Sequence, residues 1–155
     1  AEWKLISKLR EDGETKKALE RIERAISDDS GVPGTVRLRM LWLRARLNDG
    51  ETDSRKTISI CDKVLKELHK IKFEDQTSAE RIASNTMLMK ARCYESLGEN
   101  DIAYEIYKTL RSEYPESQAA QISYLYQARS EAAEMRYASA NTATRQCRMR
   151  RIIRA

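Results

Sequence analysis

The densest group of chemically capable side chains is a run of arginines near the carboxyl end of the 155-residue sequence. Positions 145 to 154 contain no acidic residue and five arginines: Arg145, Arg148, Arg150, Arg151 and Arg154. Guanidinium groups bind carboxylates and phosphates through paired hydrogen bonds. The chemistry that this run predicts is therefore anion binding.

The net positive charge of the chain comes from this one segment. The sequence has 29 Lys and Arg residues against 24 Asp and Glu, a net charge of +5. Without the five arginines of the run, residues 1–144 are balanced in charge. Two interpretations of the basic segment stay open. It is either a helix that caps the preceding helices, or a surface that contacts nucleic acid, an acidic protein or a membrane surface. The lack of an aromatic residue after Tyr137 disfavours base stacking.

Residue types that catalyse reactions are sparse. The one histidine, His69, is expected on the polar side of its helix. The sequence contains no glycine-rich phosphate loop, no HExxH or GxSxG motif and no paired cysteine ligands. Most carboxylates alternate with Lys and Arg, as on a solvated helix surface. The sequence therefore predicts no catalytic site, no metal and no cofactor.

The number and spacing of the cysteines indicate the redox state of the protein's cellular compartment. Cys61, Cys93 and Cys147 are odd in number and widely spaced, which does not suit a disulfide framework. Cys61 and Cys93 fall at helix-core spacing, so we expect buried, reduced thiols and a cytoplasmic or nuclear protein. The sequence contains no run of 18 apolar residues, so no membrane span is predicted, and the amino terminus has no apolar signal region. It also lacks an initiator Met, so we expect a processed chain or a fragment of a longer protein. A role as a subunit of a complex is a further expectation.

The elements that position these residues are predicted to be helices. Five Gly and two Pro are few for a many-stranded β fold. Apolar residues recur at helical spacing in nearly every segment. Helix starts are predicted at Thr52 or Asp53 and, from the capping-box spacing to Glu80, at Thr77. The arginine run is expected to form a separate last helix.

One segment carries a repeat pattern. Ala91, Tyr94, Gly98, Ala103, Tyr107 and Pro115 are placed as two packed helices require. A small residue lets two backbones approach, an aromatic ring fills the space beside it, glycine makes the turn and proline ends the second helix. This spacing resembles the tetratricopeptide repeat (TPR). Weaker matches precede and follow it.

The resemblance implies a fold and an organisation. It implies an all-α, TPR-like right-handed α-solenoid of about seven to eight helices, stacked as antiparallel pairs. The whole chain would be one domain with units at about 1–31, 34–71, 77–115 and 117–155. In such an array the first helix of each pair lines a groove for a peptide or a partner helix.

The resemblance also places residues in the groove. The third unit contributes Asn85 and Arg92, and the fourth contributes Tyr126 and Arg129. For the second unit two registers stay open, one with Arg37 and Arg44 and one with Arg39 and Arg46. Of these, Arg44 is taken as the candidate. Arginine with tyrosine suits an acidic peptide or helix.

These features lead to two functional hypotheses. The first is a non-catalytic scaffold or adaptor that binds a protein partner in the groove. The alternative is a module that binds nucleic acid or another polyanion through the arginine run. Binding of chaperone carboxyl termini is not expected, because Trp3 and Ser7 stand where that clamp needs Lys and Asn.

Overall fold

Seven helices make up the described part of the chain. The computed structural model describes residues 2–27, 33–49, 53–70 and 76–153, and its description of side chains ends at Asn141. The elements are α1 (Glu2–Glu11), α2 (Thr15–Ile26), α3 (Gly34–Asp49), α4 (Ser54–Leu68), α5 (Gln76–Ser96), α6 (Asn100–Glu113) and α7 (Gln118–Ile153). The predicted all-α class is confirmed.

The helices pack in the pattern of a repeat array. Each helix contacts the next one along the chain, from α1 on α2 to α6 on α7. Two further contacts skip one helix, since α3 packs on α5 and α5 packs on α7. Stacked helical pairs produce this combination of neighbours. The helices α3, α5 and α7 therefore lie side by side in one layer.

The turns within the first and third units are built in the same way. Gly13 and Gly98 have positive φ angles of 76° and 75°, which favour glycine. Glu99 N donates to Tyr94 O at 2.9 Å and Gly98 N donates to Glu95 O at 2.9 Å, the Schellman pattern of a helix end. The turn at Gly13 has the two equivalent bonds. The repeated turn brings the second helix of each pair back against the first.

The core of the third unit forms where the sequence predicts it. Ala91, Ala103 and Tyr107 are fully buried and belong to one apolar cluster, together with Leu110. The two alanines lie on α5 and α6, so the backbones can approach, and the Tyr107 ring fills the space beside them. The predicted helix crossing is confirmed.

The two predicted helix starts have different outcomes. Asp53 caps α4, with its carboxylate accepting a hydrogen bond from Lys56 N at 3.0 Å. The prediction that Thr77 caps α5 is wrong, because this helix already includes Gln76. Thr77 is therefore a helical residue rather than the residue before the helix.

Helix α7 departs most from the expected organisation. The prediction of a separate helix for the arginine run is wrong, because α7 continues unbroken from Gln118 to Ile153. The sequence 118–153 has no glycine or proline that would end it. The described part of the expected fourth unit is thus one helix and not a pair. Ala119, Ala120 and Ser123 are buried on the preceding helices, whereas residues 131–139 are all exposed.

Candidate functional site

A cleft runs between α3 and α5, two helices of the same layer. On each helix its lining residues follow helical spacing, so each wall is one stripe of side chains. We call it the α3–α5 cleft. It is lined by Arg39, Trp42 and Arg46 of α3 and by Ser78, Arg81, Ile82, Asn85, Leu88, Met89 and Arg92 of α5.

Two open cavities make up the cleft, and Trp42 contributes to both. One, of about 320 Å³, has Arg39 and Arg81 on its opposite walls. The other, of about 420 Å³, has Arg46 and Arg92 on its opposite walls. Each cavity therefore has one arginine from α3 and one from α5. The Arg46 guanidinium lies over the Trp42 ring, 5.0 Å from its centroid, which is a cation–π contact.

The charge of the cleft has one sign. Among the described residues that line its two cavities there are four arginines and no carboxylate. A neighbouring cavity of about 440 Å³, between the start of α5 and the start of α7, is predominantly acidic. Its lining includes three carboxylates, Glu80, Glu113 and Glu116, and one arginine, Arg81, which also lines the cleft. The positive charge is thus a property of the α3–α5 cleft and not of every recess in the molecule.

Arg92 contacts an aromatic ring on α7, and a partly buried hydrogen bond lies one turn further along α5. The Arg92 guanidinium lies over the ring of Tyr126 on α7, 4.8 Å from its centroid. Glu95, one turn further along α5, accepts a hydrogen bond from the Tyr107 hydroxyl at 2.8 Å. Burial raises the pKa of the Glu95 carboxyl, while the bond from Tyr107 and the charge of Arg92 act in the opposite direction. Burial, with the neighbouring Glu95, also raises the pKa of Tyr107.

The structure brings some of the predicted groove residues together. Asn85 and Arg92 line the cleft, and Tyr126 lies beneath Arg92. Arg129 is exposed on α7 and is not among the residues that line the two cavities. The binding role of these residues stays a prediction.

The placement of Arg44 in the groove is wrong. Its guanidinium forms an ion pair of 2.6 Å with Glu23, so Arg44 faces α2 rather than the cleft. Arg37 likewise points away, into a recess that it shares with Glu67. Arg39 and Arg46, the residues of the other register left open, line the cleft.

Sequence reasoning missed Arg81. Its position was a usable signal, since Arg81 precedes Asn85 by four residues and Arg92 by eleven, which places all three on one helix face. Trp42 is half-buried: it packs against the buried cluster of Leu38, Val64 and Ile82 and also lines both cavities.

The remaining sequence predictions fall in different parts of the chain. His69 is exposed at the carboxyl end of α4, and Cys61 and Cys93 are buried as predicted. Arg145, Arg148, Arg150 and Arg151 belong to α7, but their side chains lie outside the described part. Arg154 lies outside the described residues altogether.

The described residues lack the features of two other classes of site. Across residues 2–27, 33–49, 53–70 and 76–153, no helix combines the length and apolar character needed to cross a membrane. Within the same ranges, no group of three or more His, Cys, Asp or Glu residues is arranged to hold a metal ion.

The helix packing and the repeated glycine turns define the class of the chain as a helical-repeat protein. Residues 85–117 match the family model of the tetratricopeptide repeat. The chain is therefore TPR-like, and the matched segment comprises most of α5, the Gly98 turn and all of α6. No curated protein and no solved structure matches the chain significantly.

Proposed function

We propose that the chain is a protein-interaction scaffold that binds an acidic segment of a partner protein in the α3–α5 cleft. One observation carries the proposal: four arginines from two facing helices surround Trp42, with no carboxylate among the described lining residues. Arginine pairs with carboxylates through two parallel hydrogen bonds and also stacks on aromatic rings. TPR-like proteins in general bind protein partners, and the proposal assigns no catalytic step to this chain.

The position of Trp42 supports a peptide as the occupant. The cleft combines charge with apolar surface, since Ile82, Leu88 and Met89 line it beside the indole ring. A small anion would use the arginines alone. A peptide with both acidic and apolar side chains would use both kinds of surface, and apolar burial would add to the affinity.

This proposal can be tested by selecting binding peptides from a random library displayed on phage. We expect the selected peptides to be enriched in Asp and Glu and to contain an apolar residue. The variant Arg39→Gln/Arg81→Gln should bind them about tenfold more weakly, since we expect the loss of the charge-assisted bonds of one arginine pair to cost about 1.5 kcal/mol in total. The control Lys56→Gln/Lys108→Gln removes the same charge from exposed positions on α4 and α6. Equal binding by the cleft variant and the control, or no acidic enrichment, would refute the proposal.

The alternative of polyanion binding through the arginine run stays a prediction, as does a cytoplasmic or nuclear location. The described side chains do not reach the run, so the observation that favours the cleft has no counterpart there. Deletion of residues 145–155 separates the two hypotheses. It should leave peptide binding unchanged if the cleft is the site.

A further inference from the structure

The four arginines of the cleft form two pairs, one on each side of Trp42. Arg39 and Arg81 face one cavity, whereas Arg46 and Arg92 face the other. Within each pair one arginine belongs to α3 and one to α5. A single carboxylate placed in either cavity could therefore be bound from both walls, which is a stronger arrangement than one exposed ion pair.

Helix geometry sets the distance between the two pairs. Arg39 and Arg46 are seven residues apart on α3, a rise of about 10 Å. Arg81 and Arg92 are eleven residues apart on α5, a rise of about 16 Å. Two anionic groups that engage both pairs should therefore lie about 10–16 Å apart. An extended chain covers that distance in three to five residues at about 3.3 Å each, whereas a helix needs seven to eleven.

The width of the cleft favours an extended occupant. The helices α3 and α5 pack directly on each other. Packed helices have axes about 8–10 Å apart, whereas a helix with its side chains is about 10–12 Å wide. A partner helix would rest above the cleft and reach the arginines from outside. An extended chain would enter it and place a side chain against Trp42.

We propose that the cleft recognises a bipartite acidic motif on an extended chain. Two acidic residues, about four positions apart, would each bind one arginine pair, and an apolar residue between them would contact Trp42. This inference rests on the function proposed above and makes it specific. The neighbouring cavity at the start of α7, with Glu80, Glu113 and Glu116 among its lining residues, would repel carboxylates placed beyond the motif on that side.

A set of isomeric peptides tests the spacing. Each is an acetylated, amidated and fluorescently labelled alanine-rich peptide with a central leucine and one glutamate on either side of it. The glutamates stand two, four, six or eight positions apart, so composition and charge are identical. We expect the tightest binding, measured by fluorescence anisotropy, at a separation of four, whose extended span is about 13 Å. The isomers at two and eight should bind about tenfold more weakly, because only one pair can then be engaged.

Charge exchange tests the assignment of each arginine pair. The variant Arg39→Glu/Arg81→Glu should lose affinity for the four-spaced peptide and regain it when one particular glutamate of the peptide is replaced by lysine. Replacement of the other glutamate should not restore binding, which fixes the direction of the bound chain. Arg46→Glu should show the opposite preference. This variant leaves Arg92 and its contact with Tyr126 in place, and circular dichroism checks that it folds.

The outcomes separate the inference from the proposed function. Equal affinity for all four isomers, lost in the cleft variants, would overturn the spacing rule and leave acidic-peptide binding intact. Tightest binding at a separation of eight, which spans about 12 Å in a helix, would show a helical occupant and overturn the extended motif. Binding that ignores the cleft arginines would overturn both. Rescue by a single lysine position in each variant would support the motif.

Discussion

The hydrogen bond between Tyr107 and Glu95 offers a test of how the third unit is held together. It joins α6 to α5 at 2.8 Å, and Glu95 follows the cleft residue Arg92 by three positions on α5. Replacing Tyr107 with Phe removes the hydroxyl and preserves the fully buried ring. Any change in the free energy of unfolding then reports this bond rather than the packing of the aromatic side chain.

The expected loss follows from the chemistry of the pair. A hydrogen bond to a charged group contributes about 1.5–3 kcal/mol, and its removal leaves a partly buried carboxylate without that donor. We expect Tyr107→Phe to lower the free energy of unfolding by about 2 kcal/mol. For a chain of this size that corresponds to a fall of about 4–8 °C in Tm. It should also raise the pKa of Glu95 further, because the bond stabilises the ionised form.

Urea unfolding monitored by far-ultraviolet circular dichroism measures this loss. A double-mutant cycle with Glu95→Gln isolates the interaction, since contacts that each residue makes elsewhere cancel. We expect a coupling energy of about 1–2 kcal/mol between the two positions. Tyr124→Phe is the matched control, because Tyr124 is 61% exposed and its ring contacts Arg111 on the surface. That variant should unfold like the unmodified chain.

Two results would refute this reasoning. If Tyr107→Phe changed stability no more than Tyr124→Phe, the bond between α6 and α5 would contribute nothing measurable. If both single substitutions were destabilising but strictly additive, each would act through other contacts and the pair would not be coupled.

Four further predictions concern ionisation, the turn, the helix crossing and the carboxyl end. The pKa of Glu95 is raised above 4.5 in the folded chain, so its carboxyl favours folding most at low pH and that contribution is lost as pH rises through the raised value. Glu95→Gln should therefore gain stability relative to the unmodified chain between pH 4 and 7 in urea titrations. Gly98→Ala should lower the free energy of unfolding by about 1–2 kcal/mol in thermal unfolding, because its φ of +75° is strained for alanine. The added Cβ meets no atom within 4 Å, so no steric clash adds to this backbone strain. Ala103→Leu should cost about 1–3 kcal/mol by overpacking in the same assay, while the exposed Ala132→Leu should be neutral. Deletion of residues 145–155 should leave the peptide affinity of the cleft unchanged and abolish any salt-dependent binding of a single-stranded oligonucleotide.

Each of these four has an outcome that contradicts it. A stability difference for Glu95→Gln that does not change with pH would mean that the carboxyl is not destabilised by burial. A neutral Gly98→Ala would contradict the strained turn, and equal effects at Ala103 and Ala132 would contradict the close helix crossing. Loss of peptide binding on deletion of residues 145–155 would move the site to the carboxyl end.

The third unit could be predicted from the sequence because its signals agree. Ala91, Ala103 and Tyr107 sit at helix-crossing spacing, and Gly98 and Pro115 mark the turn and the end. The register of α3 could not be predicted for a physical reason. This helix contacts α2, α4 and α5, so apolar residues occur all around it and no single face stands out. The sequence of α3 alone therefore does not distinguish the two arginine registers; the packing of the neighbouring helices does.

The continuity of α7 could be predicted from the lack of helix-breaking residues in its sequence. The chain from 118 to 153 contains no glycine or proline, and the expected turn of a fourth unit had nothing to form it. Repeat resemblance suggested a pair, whereas local chemistry favoured one continuous helix. The arrangement of the cleft depends on both local spacing and helix packing. Helical spacing places Arg81 on the cleft side of α5, and the packing of α3 on α5 brings it opposite Arg39.

The continuity of α7 fixes the distance along the helix between the cleft and the arginine run. Tyr126 lies beneath Arg92 at one end of the cleft, and Arg145 begins the arginine run 19 residues further along the same helix, about 28 Å away by helical rise. An extended ligand would need about nine residues to bridge that gap. A short peptide in the cleft and an anion at the run would therefore occupy two separate binding sites. A partner that carried both determinants, joined by a tether of suitable reach, would gain avidity that neither determinant has alone.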